Sequence, residues 1–280
     1  MLRRILTSVS TLAVIGIAPL AHAQTYAFFP NNTTINYAVN RDYAIVGYAS
    51  GDINNGFQTP SSPTVNVVSG GSVGVPLRAY NSSRVNMSDG SFSGYLFAYN
   101  FSTINMSGGN VFDSLIAFDS STMSLSGGSV GYFLDARGSS TMNMSGGNVG
   151  GSLFAADFST MNVSGGSGGN NLYAADSSRV NVSGGMVASD LYAFGSSSLN
   201  FFGRGLMAPL INPNAFGFSL YSLSGTLLDG TVWTNKNLLI QNGIGARFTL
   251  NNVPEPGVLG LLTGGIVSGM MLLRRRKSVR

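Results

Sequence analysis

Few residues of this 280-residue chain could do chemistry: 11 Asp+Glu, 15 Lys+Arg, 1 His and no Cys. Three aspartates, Asp119, Asp157 and Asp176, fall on multiples of a 19-residue period and would stack as a line of carboxylates. Such a line could hold calcium or hydrolyse a glycosidic bond, which needs two carboxyl groups at a set separation. The complete column, however, reads Asn81, Asn100, Asp119, Gly138, Asp157, Asp176, Gly195. Asn, Asp and Gly are the residues that tolerate φ > 0 in tight turns. A turn requirement explains every member, whereas catalysis explains only the aspartates. Asp113, Asp135 and Asp190 occupy other columns. Arg78 shares the column of Asp135 but lies three repeats away, about 14 Å by strand spacing. Lys236 falls outside the repeat, and Gly165 to Asn170 lacks the periodic Asp of calcium-binding nonapeptides. The expectation is a non-enzymatic chain with no catalytic residues, no metal site and no cofactor.

Composition narrows the elements that must position these residues. Glycine is abundant, 38 of 280 residues, and charged residues make up 9%, against about 25% in ordinary domains. Charged bundles and coiled coils are excluded, while 44% apolar residues can still bury a core. Without cysteine there are no disulfides, Cys-ligated zinc or thiol catalysis.

The formal charge of +4 sits at the two ends. Arg3 and Arg4 contribute +2, the segment from Arg274 to Arg280 contributes +5, and Glu255 contributes −1. Residues 24–252 hold 8 basic residues and 10 Asp, hence −2, and offer no stripe for nucleic acid. Residues 1–23 read as a secretory signal peptide for the Sec machinery and signal peptidase: Arg3 and Arg4, an apolar run from Leu12 to Leu20, then Ala21-His22-Ala23. Cleavage there would also remove the single histidine, leaving no imidazole base or ligand. At the other end an uncharged stretch, 257–273, precedes Arg274, Arg275, Arg276 and Lys277. It reads as a short membrane helix with its basic end held on the cytoplasmic side.

Pro254-Glu255-Pro256, followed by that Gly-containing apolar segment and the basic cluster, resembles the PEP-CTERM sorting signal. Glu255 is the sole glutamate of the chain. The resemblance covers about the last 28 residues, 253–280, plus the signal peptide. It implies a Gram-negative exported protein, transiently anchored in the inner membrane. An exosortase would process it near Pro254, Glu255 and Pro256 for the cell envelope or extracellular matrix. Many such proteins accompany exopolysaccharide production, but the tag says nothing about the body's own fold.

The body repeats every 19 residues, from Ser69-Gly70-Gly71 through Ser88-Asp89-Gly90 and on to Ser183-Gly184-Gly185. Ser50-Gly51-Asp52 and Phe202-Gly203-Arg204 fall on the same spacing as worn outer copies. Columns at this period keep their character. Leu77 to Leu210 form one apolar column and Ala79 to Ala193 another; Met106, Leu125 and Met144 belong to a third, Ile104, Met123 and Met142 to a fourth. Val73, Phe92, Val111, Val130, Val149 and Val187 make a fifth, interrupted at Gly168. Apolar positions two apart mark strands, and like stacked on like marks a parallel β-solenoid. The period predicts an all-β, right-handed β-helix of eight or nine coils, with 50–204 as the repeats. Residues 24–49 would form an N-terminal cap and 205–252 a β-rich closing cap. In the latter, Asp229-Gly230 predicts a tight hairpin and Trp233 is expected to be packed inside.

Outward positions of the strand before each Ser-Gly-Gly form a second lattice. Thr103, Thr122, Thr141 and Thr160 stack in one column, bracketed by Arg84 and Arg179. Asn105, Ser124, Asn143 and Asn162 make the next column, and Ser107 to Ser164 the third. A nearly uncharged hydroxyl and amide surface would suit exopolysaccharide. The functional expectation is therefore a structural or adhesive envelope or matrix protein. The alternatives are a β-helix polysaccharide lyase or hydrolase and an ice-binding-like solenoid with threonine ladders. The Asn-x-Ser sequons, such as that at Asn105, follow automatically from the repeat.

Overall fold

The computed structural model describes residues 63–254, apart from Val75 and Ile244, and four shorter segments: Tyr26–Phe29, Thr33–Ile35, Ala38–Val39 and Tyr43–Val46. The signal segment, Ser50-Gly51-Asp52 and the sorting tail from Glu255 onward lie outside the described residues. Among the described residues every regular element is a β-strand, and none is a helix.

The first coils each contribute three short strands, for example Leu96–Ala98, Thr103–Met106 and Asn110–Val111, before the next coil begins at Leu115–Ala117; from Thr141–Val149 onward the second and third run together as one strand. Pairing between coils is parallel and keeps like over like. Leu115 lies between Leu96 and Leu134, and Ala117 between Ala98 and Ala136. The Leu-x-Ala strand occurs from Leu77–Ala79 to Leu191–Ala193, giving a parallel β-solenoid of about seven turns, roughly 34 Å long by strand spacing. This is fewer than the eight or nine coils the period predicts. Phe202-Gly203-Arg204, within the strand Ser198–Met207, lacks the left-handed third residue of the corners: Gly185 has φ 82°, whereas Arg204 has no positive φ. At the N-terminal end, Thr33–Ile35, Ala38–Val39 and Tyr43–Val46 pair in parallel beneath the first strands of the three faces and prolong the ladder.

The inward columns form one continuous core. Leu77, Leu96, Leu134 and Leu153 are fully buried, as are Ala79, Ile104, Met142 and Val149. Burying each large apolar side chain contributes about 1.5–3 kcal/mol. At Gly168 the valine column is interrupted, and a Cβ there would come within 3.3 Å of the Leu153 side chain. The Ser-Gly-Gly corner uses its two glycines for different reasons. A Cβ on Gly108 would strike the Ser88 carbonyl oxygen of the coil below, whereas Gly109 has φ 80°, a conformation that L side chains rarely adopt.

A further inward column is polar. Ser102, Ser121, Ser140, Ser159, Ser178 and Ser197 are essentially fully buried. Each donates its hydroxyl to an alanine carbonyl 23 residues earlier: Ser102 to Ala79 at 3.1 Å, Ser159 to Ala136 at 3.0 Å, Ser197 to Ala174 at 3.0 Å. A buried hydroxyl must be paired in this way, and the serine is small enough to sit inside the corner. The hydroxyl of Ser83, in the first such corner, has no hydrogen-bond partner among the described residues.

At the C-terminal end the expectation for Leu210 is corrected. Leu210 is 50% exposed, in a strand, Leu210–Ala215, antiparallel to Phe218–Leu227. The leucine column continues instead at Leu238, which pairs with Leu191 and is fully buried. The reason is topological: the chain leaves the helical path after Gly203, forms an antiparallel excursion, and rejoins the ladder only with Val232–Gln241. The hairpin at Asp229-Gly230 forms as its residues predict, with Leu227 N–H donating to Thr231 O at 2.8 Å. Trp233 is 3% exposed, and its Nε1 donates to the Gly185 carbonyl at 3.1 Å.

Candidate functional site

The strand alternation that buries Ile104 and Met106 points Thr103 and Asn105 outward, and every coil repeats this. Register brings the predicted face together as a lattice. Thr103, Thr122, Thr141 and Thr160 are successive partners, with Arg84 below and Arg179 above. Asn105, Ser124, Asn143 and Asn162 form the adjoining column, and the serines Ser107, Ser126, Ser145 and Ser164 are exposed beyond it.

The asparagines bond to one another. Asn86 Nδ2 donates to Asn66 Oδ1 at 2.9 Å and Asn105 Nδ2 to Asn86 Oδ1 at 3.0 Å. After Ser124 the chain resumes: Asn162 donates to Asn143 at 2.8 Å, Asn181 to Asn162 at 2.8 Å and Asn200 to Asn181 at 2.9 Å. No hydrogen bond joins the Ser124 hydroxyl to either neighbour, so among the described residues Asn105 Oδ1, Ser124 Oγ and Asn143 Nδ2 are uncommitted. Among the described residues the four threonine hydroxyls of the column likewise make no hydrogen bond.

The aspartates that resemble a catalytic line serve turns. All seven positions of their column, Asn81 through Gly195, have φ between 56° and 64°. Their side chains also bridge coils: Asp119 Oδ2 accepts the Asn100 N–H at 2.9 Å, Asp157 Oδ2 that of Gly138 at 2.8 Å, and Asp176 Oδ2 that of Asp157 at 3.1 Å. Arg78 and Asp135 do share a column, three coils apart. Asp135 pairs instead with Arg137, whose Nη2 lies 2.8 Å from Oδ2. That hydrogen bond, reinforced by the carboxylate's charge, raises the Arg137 pKa above its ordinary value. Asp135 is 4% exposed, and its Oδ1 has no hydrogen-bond partner among the described residues.

Two features were not anticipated. The first is an aromatic ladder on the outward side of the Leu-x-Ala strands. Phe154 stacks on Tyr173 at 4.6 Å and Tyr173 on Tyr192 at 5.0 Å; in a second column two residues further on, Tyr80, Tyr99 and Phe118 stack at 4.8 and 5.0 Å. The signal was present at the 19-residue spacing, but Arg78, Ile116 and Asp135 share the column of Phe154, and Arg137 and Ala156 that of Tyr99, and they disguise it. In such a stack each ring face is covered by the next ring, so the ladder presents edges outward and offers little face for a sugar. Burial, reinforced by the Asp190 charge, pushes the Tyr192 phenol above its ordinary pKa, and its hydroxyl donates to Asp190 at 3.3 Å.

The second is a pair of isolated rings beside the threonine lattice. Phe101 and Phe158, 70% and 73% exposed, stand two residues before Thr103 and Thr160. They open the first and last rows of the four-threonine column, where the intervening coils have Ser120 and Ser139. Among the described residues neither ring stacks on another aromatic side chain. Compared with protein-family models, curated proteins and solved structures, the chain matches none.

Proposed function

We propose that this chain is an exported, non-enzymatic structural or adhesive solenoid that contacts exopolysaccharide through its threonine face. The observation that carries the reading is the lattice of uncommitted hydroxyls and amides centred on Ser124, held in register by parallel coils. An extended hydroxyl-rich polymer is the partner that can use many weak, evenly spaced donors and acceptors at once. The turn carboxylates each accept a backbone N–H, which favours a scaffold over a lyase or hydrolase. Right-handed winding belongs to the same reading, since a left-handed hexapeptide helix would repeat at about 18 residues. The terminal segments supply the route: a signal peptide, then a PEP-CTERM-like tail at Pro254-Glu255-Pro256 that anchors the chain in the inner membrane until an exosortase-type enzyme cuts it. The body would then reach the envelope or extracellular matrix.

The test is binding of the purified protein to the producing organism's exopolysaccharide, with soluble reducing ends measured in the same tube. Retention without release is expected. Release of reducing ends would instead favour a hydrolase or lyase and direct mutation to Asp119, Asp157 and Asp176, while absence of retention would leave a scaffold without glycan affinity.

A further inference from the structure

We infer that the four coils between Phe101 and Phe158 form one defined subsite for a neutral, extended glycan lying parallel to the rod axis; this rests on the adhesive reading above and specifies its site. The rings stand three coils apart at equivalent corners, about 14 Å by strand spacing. Both are more than two-thirds exposed, and neither belongs to the stacked ladder. Phenyl faces stack on the C–H faces of pyranose rings, so each can anchor one sugar. Between them run Thr122 and Thr141, with unpaired hydroxyls, and the gap in the amide chain. That gap supplies an acceptor at Asn105 Oδ1, a hydroxyl at Ser124 and a donor at Asn143 Nδ2.

Elsewhere on this face the asparagines satisfy each other, and no phenyl ring stands at the corner; Ser82 and Ser177 occupy it. The unpaired groups and the free rings therefore coincide in the same four coils. Charge sets the ligand class. The strand positions of Thr103, Asn105 and Ser107 and their equivalents in these four rows are uncharged; Asp119 and Asp157, exposed in the turns beside Ser120 and Phe158, each accept a backbone N–H, and Arg84 and Arg179 appear only in the rows beyond. A polyanion would find no cation within the lattice, whereas a neutral glycan leaves no charge unpaired.

The experiment is calorimetric titration of the full chain with neutral β-linked hexasaccharides of glucose, mannose and N-acetylglucosamine, using oligogalacturonate as the anionic control. At least one neutral hexasaccharide should bind and oligogalacturonate should not. Phe101→Ser with Phe158→Ser, which installs the residue other coils use, should weaken binding by about tenfold per ring. Ser124→Asn should close the amide chain, as at Asn86 and Asn105, and weaken binding at least as much as one ring while the melting temperature holds or rises. Phe112→Ser, at an exposed ring on a different corner, should change nothing. Unchanged binding in Ser124→Asn or in the double Phe variant overturns the subsite, as does failure of every neutral hexasaccharide. If exopolysaccharide retention survives in the double Phe variant, the adhesive reading stands while this subsite falls.

Discussion

The threonine face and the leucine face are built on the same coils at the same spacing, and each carries a side-chain ladder interrupted near its middle. On the threonine face the interruption is Ser124, too short to reach the amides of Asn105 or Asn143, and it leaves polar groups facing water. On the leucine face the aromatic column passes through Ile116 and Asp135 before resuming at Phe154. There the break is sealed: Asp135 is 4% exposed and Arg137 folds over it to pair with Oδ2. The difference teaches where a ligand can be read from a repeat. An interruption filled by the chain's own side chains is structural, whereas one left open at the surface is available to a partner.

That comparison can be broken by removing a rung from each ladder. Tyr173→Ala deletes a ring stacked on both Phe154 and Tyr192. It should cost about 2–3 kcal/mol in urea unfolding, from lost burial and two ring contacts. A cost below about 0.5 kcal/mol, the range of ordinary surface substitutions, would show the ladder to be ornamental. Asn162→Ala removes the amide bonds to Asn143 and Asn181 and should cost about 1–2 kcal/mol. Equal costs at Tyr173 and Asn162 would mean the two faces share stability evenly. The comparison sharpens when the sealed break is healed. Asp135→Phe with Arg137→Ala replaces a partly desolvated ion pair by the ring its column partner Phe154 predicts, and should stabilise by about 1 kcal/mol. A net loss would mean that the ion pair contributes more than a completed stack.

Much of this was legible because the repeat tests each position several times over. The inward Leu and Ala columns, the turn role of the aspartates, the Asp229-Gly230 hairpin and the packing of Trp233 all follow from residue types at fixed spacing. Extrapolation failed where the chain left the repeat. Leu210 lies on the period, but register rather than spacing decides who stacks on Leu191, and only the antiparallel excursion brings Leu238 there. The buried serines were hidden for another reason. Their column is uniform, but a hydroxyl reads as surface unless its acceptor, an alanine carbonyl in the coil below, is known. Phe101 and Phe158 were hidden because two rings among serines carry no period.

The two faces also end differently, and the smallest predicted effect probes how they are closed. Val232–Gln241 continues the leucine face and Arg247–Asn252 the threonine face. The hairpin before the former is tied to the last Ser-Gly-Gly corner by Asp229. Its Oδ2 accepts the Gly185 N–H at 2.7 Å and the Thr231 hydroxyl at 2.9 Å, while Oδ1 accepts the Thr231 N–H at 2.9 Å. Desolvation pushes this carboxyl upward, but N–H donation from Thr231 and Gly185 outweighs it and holds the pKa below the ordinary Asp value. A depressed folded-state pKa contributes stability above the unfolded pKa and loses it as pH falls through the folded value. The closing hairpin should therefore loosen below about pH 4. Trp233, the single tryptophan, is the reporter, since its Nε1 bonds the same Gly185 and its ring packs edge-on to Phe201 at 6.0 Å. Its fluorescence should shift on acidification before the far-UV signal of the solenoid is lost, and Asp229→Asn should flatten that early phase. If tryptophan emission and far-UV signal change together in both proteins, the hairpin is not separately tied down, and the leucine face is closed as firmly as the core beneath it.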